Sequence, residues 1–223
     1  MKTNVSVSSI LETKSGVNII TNVSEFTADQ VICTVPAPIA KNMIQNHDSE
    51  MSVLFETPYS SSIIISLLIN ESWEPPSQIE KAYGFLFNPQ SDTKLAALTI
   101  ENNKCIMRKK QGYLINVMLR DECAKQLLHL TDNLIFAAIQ SDVEVILPNI
   151  FQHQHAMKIF RWPYAMPCTP IGRANAVKKY RATRSQNNRI WLASDYLGFP
   201  WTDSAAETGL WAANQIIKWK NSD

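Results

Sequence analysis

The chain has 223 residues, of which 45% are apolar and 18% are charged, a composition typical of a folded globular protein rather than a disordered one. The formal net charge of +1 gives no electrostatic reason to expect binding to nucleic acid or to an anionic membrane surface. Apolar runs such as residues 63–69 are far shorter than the roughly 20 residues that span a bilayer, and no signal-peptide core follows Met1, so we expect a cytoplasmic protein.

Residues 1–40 predict a β-meander, because Val7 begins an alternating apolar pattern and Gly16 marks a turn before the next strand. Val31–Val35 predicts a further strand that ends at Pro36, and a short helix follows it.

The middle region, from about residue 46 to residue 161, predicts a sheet followed by two helices. The run 61–69 is continuous and β-branched, so we expect a strand that is covered on both faces. The further predicted strands are Gly84–Phe87, Lys94–Glu101, Gly112–Leu119 and Met157–Arg161, and the predicted helices are Asp121–Leu130 and Asn133–Leu147.

The last section predicts a proline-rich loop at 162–170, a solvated basic helix within 173–189, and a strand at 189–193. A terminal helix should begin near Ser204, with Ser204 and Glu207 forming a capping box. Its predicted buried stripe consists of Ala206, Leu210, Ala213 and Ile217.

The clearest absence concerns glycine. The chain has six glycines, and no two are spaced to form the G-x-G-x-x-G loop that lets a backbone approach a phosphate.

The four cysteines form no C-x-x-C pair, so we predict neither a disulfide framework nor a zinc site. We interpret His153 and His155 as part of a polar surface turn rather than as metal ligands.

A strand that ends in Asp195, followed by a tight loop and a helix start, brings free backbone amides and a positive dipole end to one point. Such a point suits an anion, or a carbonyl that gains negative charge during a reaction. The alternative is an Asx turn followed by an ordinary helix start.

Four segments, in order along the chain, resemble motifs of the flavin-containing amine oxidoreductase superfamily. Residues 190–217 are similar to its C-terminal signature, L-A-G-D followed by E-G-A and A-A, and residues 28–37 to its A-D-x-V-I-x-A-V-P-A strand. Trp162-x-x-Ala165-x-Pro167 and the strand at 7–10 complete the resemblance. The protoporphyrinogen-oxidase-like and phytoene-desaturase-like branch is the most similar.

The resemblance implies an α+β fold in which residues 1–40 and 183–223 form a partial FAD-binding domain and residues 41–182 form a substrate-binding domain. The cofactor it implies is FAD, with ribityl hydroxyls at Asp195 and the pyrimidine end of the flavin at amides near 202–205. The substrate pocket would include Trp162 and Pro167, and no catalytic residue is assigned. The implied cofactor-binding residues are Val7, Pro36, Asp195, Thr202, Asp203, Ser204 and Ala205.

The sequence departs from the family pattern at four points. Ser194 and Ser204 stand where the family has glycine, and no lysine matches the one that amine oxidases place beside the flavin. The N-terminal βαβ unit with its pyrophosphate loop has no counterpart, so we expect the isolated chain to hold FAD weakly or not at all.

Two hypotheses follow from this pattern. In the first, the chain is the C-terminal portion of an FAD-dependent oxidoreductase that transfers hydride from a small apolar or amine-type substrate. It would be inactive until another chain, or a second copy, supplies the N-terminal half. In the second, the chain is a diverged, non-catalytic binding or interaction module that has lost flavin. Without the βαβ unit, Ile190, Leu192, Trp211 and Trp219 are predicted to be exposed. The alternative is that residues 163–170 or the basic stretch fold over the gap.

Overall fold

The computed structural model describes residues 1–77, 79–104, 112–185 and 187–220, and these ranges mix strands and helices as the sequence predicts. The strands are β1 (Val7–Glu12), β2 (Val17–Thr21), β3 (Glu25–Ala28), β4 (Val31–Cys33), β5 (Ile44–Gln45), β6 (Tyr59–Ile69), β7 (Gly84–Leu86), β8 (Leu95–Ile100), β9 (Tyr113–Leu119), β10 (Gln154–Pro167) and β11 (Ile190–Leu192). The helices are α1 (Ala37–Met43), α2 (Ser49–Phe55), α3 (Asp121–Leu127), α4 (Asp132–Ile146), α5 (Arg173–Thr183) and α6 (Thr202–Lys220). Within these ranges, no helix is long and apolar enough to cross a membrane.

The chain forms two compact units, the first made of residues 1–59 with 166–223 and the second of residues 60–165. The sequence placed these divisions at 40/41 and 182/183 instead. The difference arises because α2 and α5 contact each other and bury Leu54 and Tyr180 in the core of the first unit.

The first unit contains two sheets. One has the strand order β3-β2-β1-β5, with antiparallel β1–β2 and β2–β3 pairs, which confirms the predicted meander. The other is the parallel pair β11–β4, in which Ile190 lies opposite Val31 and Leu192 opposite Cys33. This pairing confirms the expected contact between segments that are far apart in the sequence.

The helix α2 was not predicted from the sequence. Asp48 caps it by accepting the Met51 N–H at 2.8 Å, and Met51, Leu54 and Phe55 are buried.

The basic segment is also less solvated than predicted, because Arg173 and Tyr180 on α5 are buried.

The second unit is built on one sheet with the strand order β10-β6-β9-β8-β7. The expectation that 61–69 is covered on both faces is wrong. Ile63, Ile65 and Leu67 are fully buried, whereas alternate residues on the other face are half-buried and Leu68 is 37% exposed. The buried side chains of α3 and α4 belong to the core of this unit, and those of α4 are Ile135, Ile139 and Val143.

The predicted proline-rich loop is also wrong over its first six residues, because residues 162–167 continue β10. An edge strand tolerates proline, since one of its sides has no hydrogen-bonding partner. Pro163 still contributes a contact, as its carbonyl accepts the Ser61 hydroxyl at 3.0 Å.

The helix α6 begins two residues earlier than predicted, and the face that it buries is not the predicted one. Thr208 and Ala212 are fully buried, whereas Leu210 is 64% and Ile217 56% exposed, so the predicted buried stripe is wrong. The Thr208 hydroxyl donates to the Ser194 carbonyl at 3.2 Å, which directs this face inward.

The predicted exposure around the final strand is wrong as well. Ile190 and Leu192 are buried, and Trp211 packs edge-on against Trp191 with ring centroids 5.8 Å apart. The side chain of Trp219 lies outside the described part of the chain.

Candidate functional site

The candidate site lies at the carboxyl ends of β4 and β11. Because these strands are parallel, the segments that follow them, with Pro36 and Asp195, leave the sheet at the same edge. The Tyr59 side chain lies beside the segment that follows β4. Its hydroxyl accepts the Ala37 N–H at 3.3 Å, and burial, with the Asp195 carboxylate also acting, raises the pKa of Tyr59 to about 12.

Asp195 opens a 3₁₀ turn, Asp195–Leu197, and is half-buried. One carboxylate oxygen, Oδ1, accepts the Ser194 hydroxyl at 3.0 Å. An ionised carboxylate can accept about four hydrogen bonds, so Asp195 retains the capacity to accept hydroxyls from a ligand such as the ribityl chain of a flavin.

The first turn of α6 offers fewer amides than the sequence suggested. The Trp201 carbonyl accepts the Ser204 N–H at 3.1 Å and the Ala205 N–H at 3.2 Å, so these two amides serve the helix itself. Of the predicted amide donors, those of Thr202 and Asp203 have no acceptor among the described residues, and they lie at the positive end of the helix dipole.

Ser204 does not form the predicted capping box. Its hydroxyl oxygen accepts the Phe199 N–H at 2.9 Å, and the carboxylate of Glu207 instead binds Arg181 at 2.6 and 2.9 Å. Ser204 also packs on the loop before the helix, since a Cβ at Gly198 would lie 2.6 Å from the Ser204 Oγ. A side chain therefore stands where the family pattern has none.

The remaining predicted residues lie elsewhere. Val7 is in β1, in a different sheet from β4 and β11, beside an irregularity in the β1–β2 register. Trp162 is 48% exposed and Pro167 is buried, and the two belong to different compact units. The structure therefore brings together Pro36, Asp195 and the start of α6, but it does not place Val7 in that sheet.

Sequence reasoning missed two residues of this region, Tyr59 and Tyr196. The Tyr196 side chain is 2% exposed, and its hydroxyl has no hydrogen-bond partner among the described residues. Burial raises the pKa of Tyr196 well above its ordinary value, with Cys33 also acting. Single tyrosines outside a motif give no sequence signal, because only the fold brings them to the ends of these strands.

Comparison with known proteins identifies the family. The sequence profile of the flavin-containing amine oxidoreductases matches residues 1–217. The chain belongs to this family, which confirms the resemblance seen in its motifs. Among curated proteins, no sequence matches the chain.

Solved structures share the fold. A protein assigned as a protoporphyrinogen oxidase from Exiguobacterium sp. 255-15 has a TM-score of 0.74 at 18% identity, with 96% of this chain and 47% of that chain covered. A putrescine oxidase bound to putrescine has a TM-score of 0.68 at 16% identity, covering 96% and 49%. Reduced UDP-galactopyranose mutase has a TM-score of 0.68 at 15% identity, covering 88% and 42%. The chain thus spans about half the length of these structures.

Proposed function

We propose that this chain is the C-terminal portion of an FAD-dependent oxidoreductase and that it holds the flavin end of the cofactor. The observation that carries the proposal is the convergence of Pro36, Asp195 and the start of α6 at the carboxyl edge of a parallel strand pair, in a chain of this family. Ligands of open α/β sheets bind at such edges.

Each residue has a distinct role in this proposal. Asp195 accepts hydrogen bonds from ribityl hydroxyls, and its turn is braced by the Ser194 hydroxyl. The Thr202 and Asp203 amides, with the helix dipole, favour the electron-rich pyrimidine end of the ring. Bound flavin would supply the hydride acceptor, and the protein would supply orientation.

In this proposal, an apolar surface of the second unit forms one wall of the substrate pocket. On β10, Phe160, Trp162 and Tyr164 point to the same side because they alternate along a strand, and each is at least 36% exposed. The half-buried Ile64 and the exposed Leu68 lie on the face of β6 that is turned away from the core. Trp162 is therefore a suitable contact for a substrate, and we propose that the substrate is apolar or of the amine type.

We further propose that tight FAD binding requires a segment with a pyrophosphate loop in addition to these 223 residues. The described chain has no glycine-rich loop, and it spans about half of its solved relatives. Phe199 and Trp201, stacked with ring centroids 6.4 Å apart and both exposed, lie at the start of α6 and would be covered by that segment.

One observation favours the alternative of a module that no longer binds flavin. Ser204 fills space beside Gly198, and the Ser204 and Ala205 amides are engaged within α6. If this packing excludes the ring, the same edge would serve only for contacts with a partner.

A titration with FAD, followed by quenching of flavin fluorescence, tests the proposal. Wild-type chain should bind weakly, and Asp195→Asn should bind at least about tenfold more weakly, because a charged hydrogen-bond acceptor is lost. Asp92→Asn, an exposed change in the second unit, is the control and should leave binding unchanged. Equal binding by all three proteins would contradict the assigned role of Asp195, and no binding at any concentration would favour the alternative module.

A further inference from the structure

A cavity of about 520 Å³ lies within the first unit between α5, the 195–197 turn and α6. Its volume is within the range of about 300–1,000 Å³ that is typical of small-molecule sites. Ala174, Val177 and Leu197 form apolar parts of its wall. Its charged lining residues are Arg173, Lys178, Arg181 and Glu207.

Arg173 is the unusual member of this lining. The residue is 7% exposed, and its guanidinium donates to the Leu54 carbonyl at 3.4 Å and to the Thr57 hydroxyl. Both acceptors are neutral, and no carboxylate of the described residues lies within ion-pair distance of Arg173. Burial lowers the pKa of the Arg173 guanidinium, as expected for a charge that lacks a counter-ion.

The local backbone adds to this positive charge. Arg173 is the first residue of α5, and Gly172 before it provides no side-chain cap and the first turn no acidic residue. A cation at the positive end of a helix dipole is unfavourable. An anion placed here would meet both the guanidinium and the helix end.

The other basic residues of the cavity differ in their pairing. Arg181 is neutralised by Glu207 through two hydrogen bonds of 2.9 and 2.6 Å. Lys178 is exposed and forms no ion pair with any described residue. Arg173 and Lys178 therefore leave the cavity with an excess of positive charge.

A purely structural role does not account for the whole arrangement. Arg173 does cap the end of α2 through Leu54, which uses part of its five-donor capacity. Capping explains neither the cavity that Arg173 lines nor the Lys178 side chain at its wall, which has no ion pair among the described residues.

We propose that this cavity binds an amphipathic oxyanion, meaning a carboxylate or phosphate group carried on an apolar body. The oxyanion pairs with Arg173 and Lys178, and the apolar body packs against Val177 and Leu197. Arginine suits this task because its planar donors match two oxygens of such a group. The lining of this cavity does not include Pro36 or Asp195, but it shares the 195–197 turn with the proposed flavin site.

Calorimetric titration of the full chain with four probes tests the proposal: octanoate, octyl phosphate, octanol and inorganic phosphate. One or both amphipathic anions should bind, and which of them binds identifies the oxyanion. Octanol and inorganic phosphate should bind at least about tenfold more weakly, since each lacks one half of the recognised chemistry. Equal affinity for octanol and octanoate, or no binding of either anion, would overturn the proposal.

Three variants test whether the anion binds in this cavity. Lys178→Gln should weaken binding of the anion several-fold, whereas Lys179→Gln should not, because Lys179 pairs with Glu50 at 3.2 Å and does not line the cavity. Ala174→Trp, at an exposed position of α5, should block the cavity without removing the Arg173 contacts to α2. Unchanged affinity in Ala174→Trp, or equal losses in the two lysine variants, would show that the anion binds elsewhere.

Discussion

The Tyr180 hydroxyl accepts the Leu192 N–H at 2.8 Å, on the edge of β11 that is turned away from β4. The neighbouring groups show this orientation, because the Arg189 carbonyl and the Ala193 N–H bond to β4. Tyr180 and Leu192 are both fully buried. A side chain of α5 thus satisfies a strand amide that a further strand would otherwise have to satisfy.

Tyr180→Phe should destabilise the first unit by about 1–3 kcal/mol, because it leaves a buried N–H without an acceptor. Denaturant unfolding gives this value, and hydrogen exchange at the Leu192 amide should become faster. Tyr83→Phe, at a 43% exposed residue, is the matched control and should change stability by less than about 0.5 kcal/mol. Equal effects of the two variants would show that the Tyr180 hydrogen bond contributes nothing specific.

The sequence predicted most strands because their signals are local. Alternating or β-branched runs between turn residues identified β1, β2 and β6–β9 to within a few residues. The same reasoning failed at β10, where Pro163 suggested a loop, because only the sheet order shows that β10 is an edge strand. It also missed α2, which is too short for a helical stripe to be recognised.

The errors in α6 and in the site have a common cause. The helix has apolar residues on two faces, so Leu210 and Trp211 each belong to a plausible buried stripe. Contacts with Ser194 and Trp191 decide between them, and these depend on the fold. Motifs located Asp195 and the start of α6 but could not reveal Tyr59, which reaches the site from elsewhere in the chain.

The ion pair between Arg181 and Glu207 should give a measurable pH dependence. The hydrogen bond from Arg181 lowers the pKa of Glu207 below its ordinary value of 4.5. The pair therefore contributes its full stability above pH 4.5 and loses it as the pH falls through the lowered pKa. Because the Glu207 side chain is 56% exposed, we expect at most about 1 kcal/mol.

The stability difference between wild type and Glu207→Gln, measured across this pH range, checks the prediction. The difference should be present at neutral pH, shrink on acidification, and shrink also at high salt. A difference that grows as the pH falls would contradict the assigned sign.

Core packing in the second unit should depend strongly on α4. Ile139→Ala removes a fully buried side chain and should cost about 2–5 kcal/mol of unfolding free energy. Val145→Ala, on the same helix but 83% exposed, should change it by less than about 0.5 kcal/mol. Thermal unfolding measures both losses. If the two variants lost similar amounts of unfolding free energy, the buried face of α4 would have to include other residues.

The exposed face of α6 should promote association. Leu210 and Ile217 are seven positions apart on one face, and both are more than half exposed. The double change of Leu210 and Ile217 to Lys should reduce binding of a hydrophobic dye and any self-association seen by sedimentation. Val145→Lys, at an exposed residue of the second unit, is the control. Dye binding that fell equally in the control would show that α6 is not the responsible surface.

The most direct test of the proposed flavin site is backbone hydrogen exchange with and without saturating FAD. We expect slower exchange in residues 194–205 and 34–37, where the ends of β11 and β4 and the start of α6 meet, and no change in residues 60–165. Protection confined to residues 60–165, or no protection anywhere at concentrations where FAD is bound, would contradict the assignment of Asp195 and its neighbours as the flavin-holding edge.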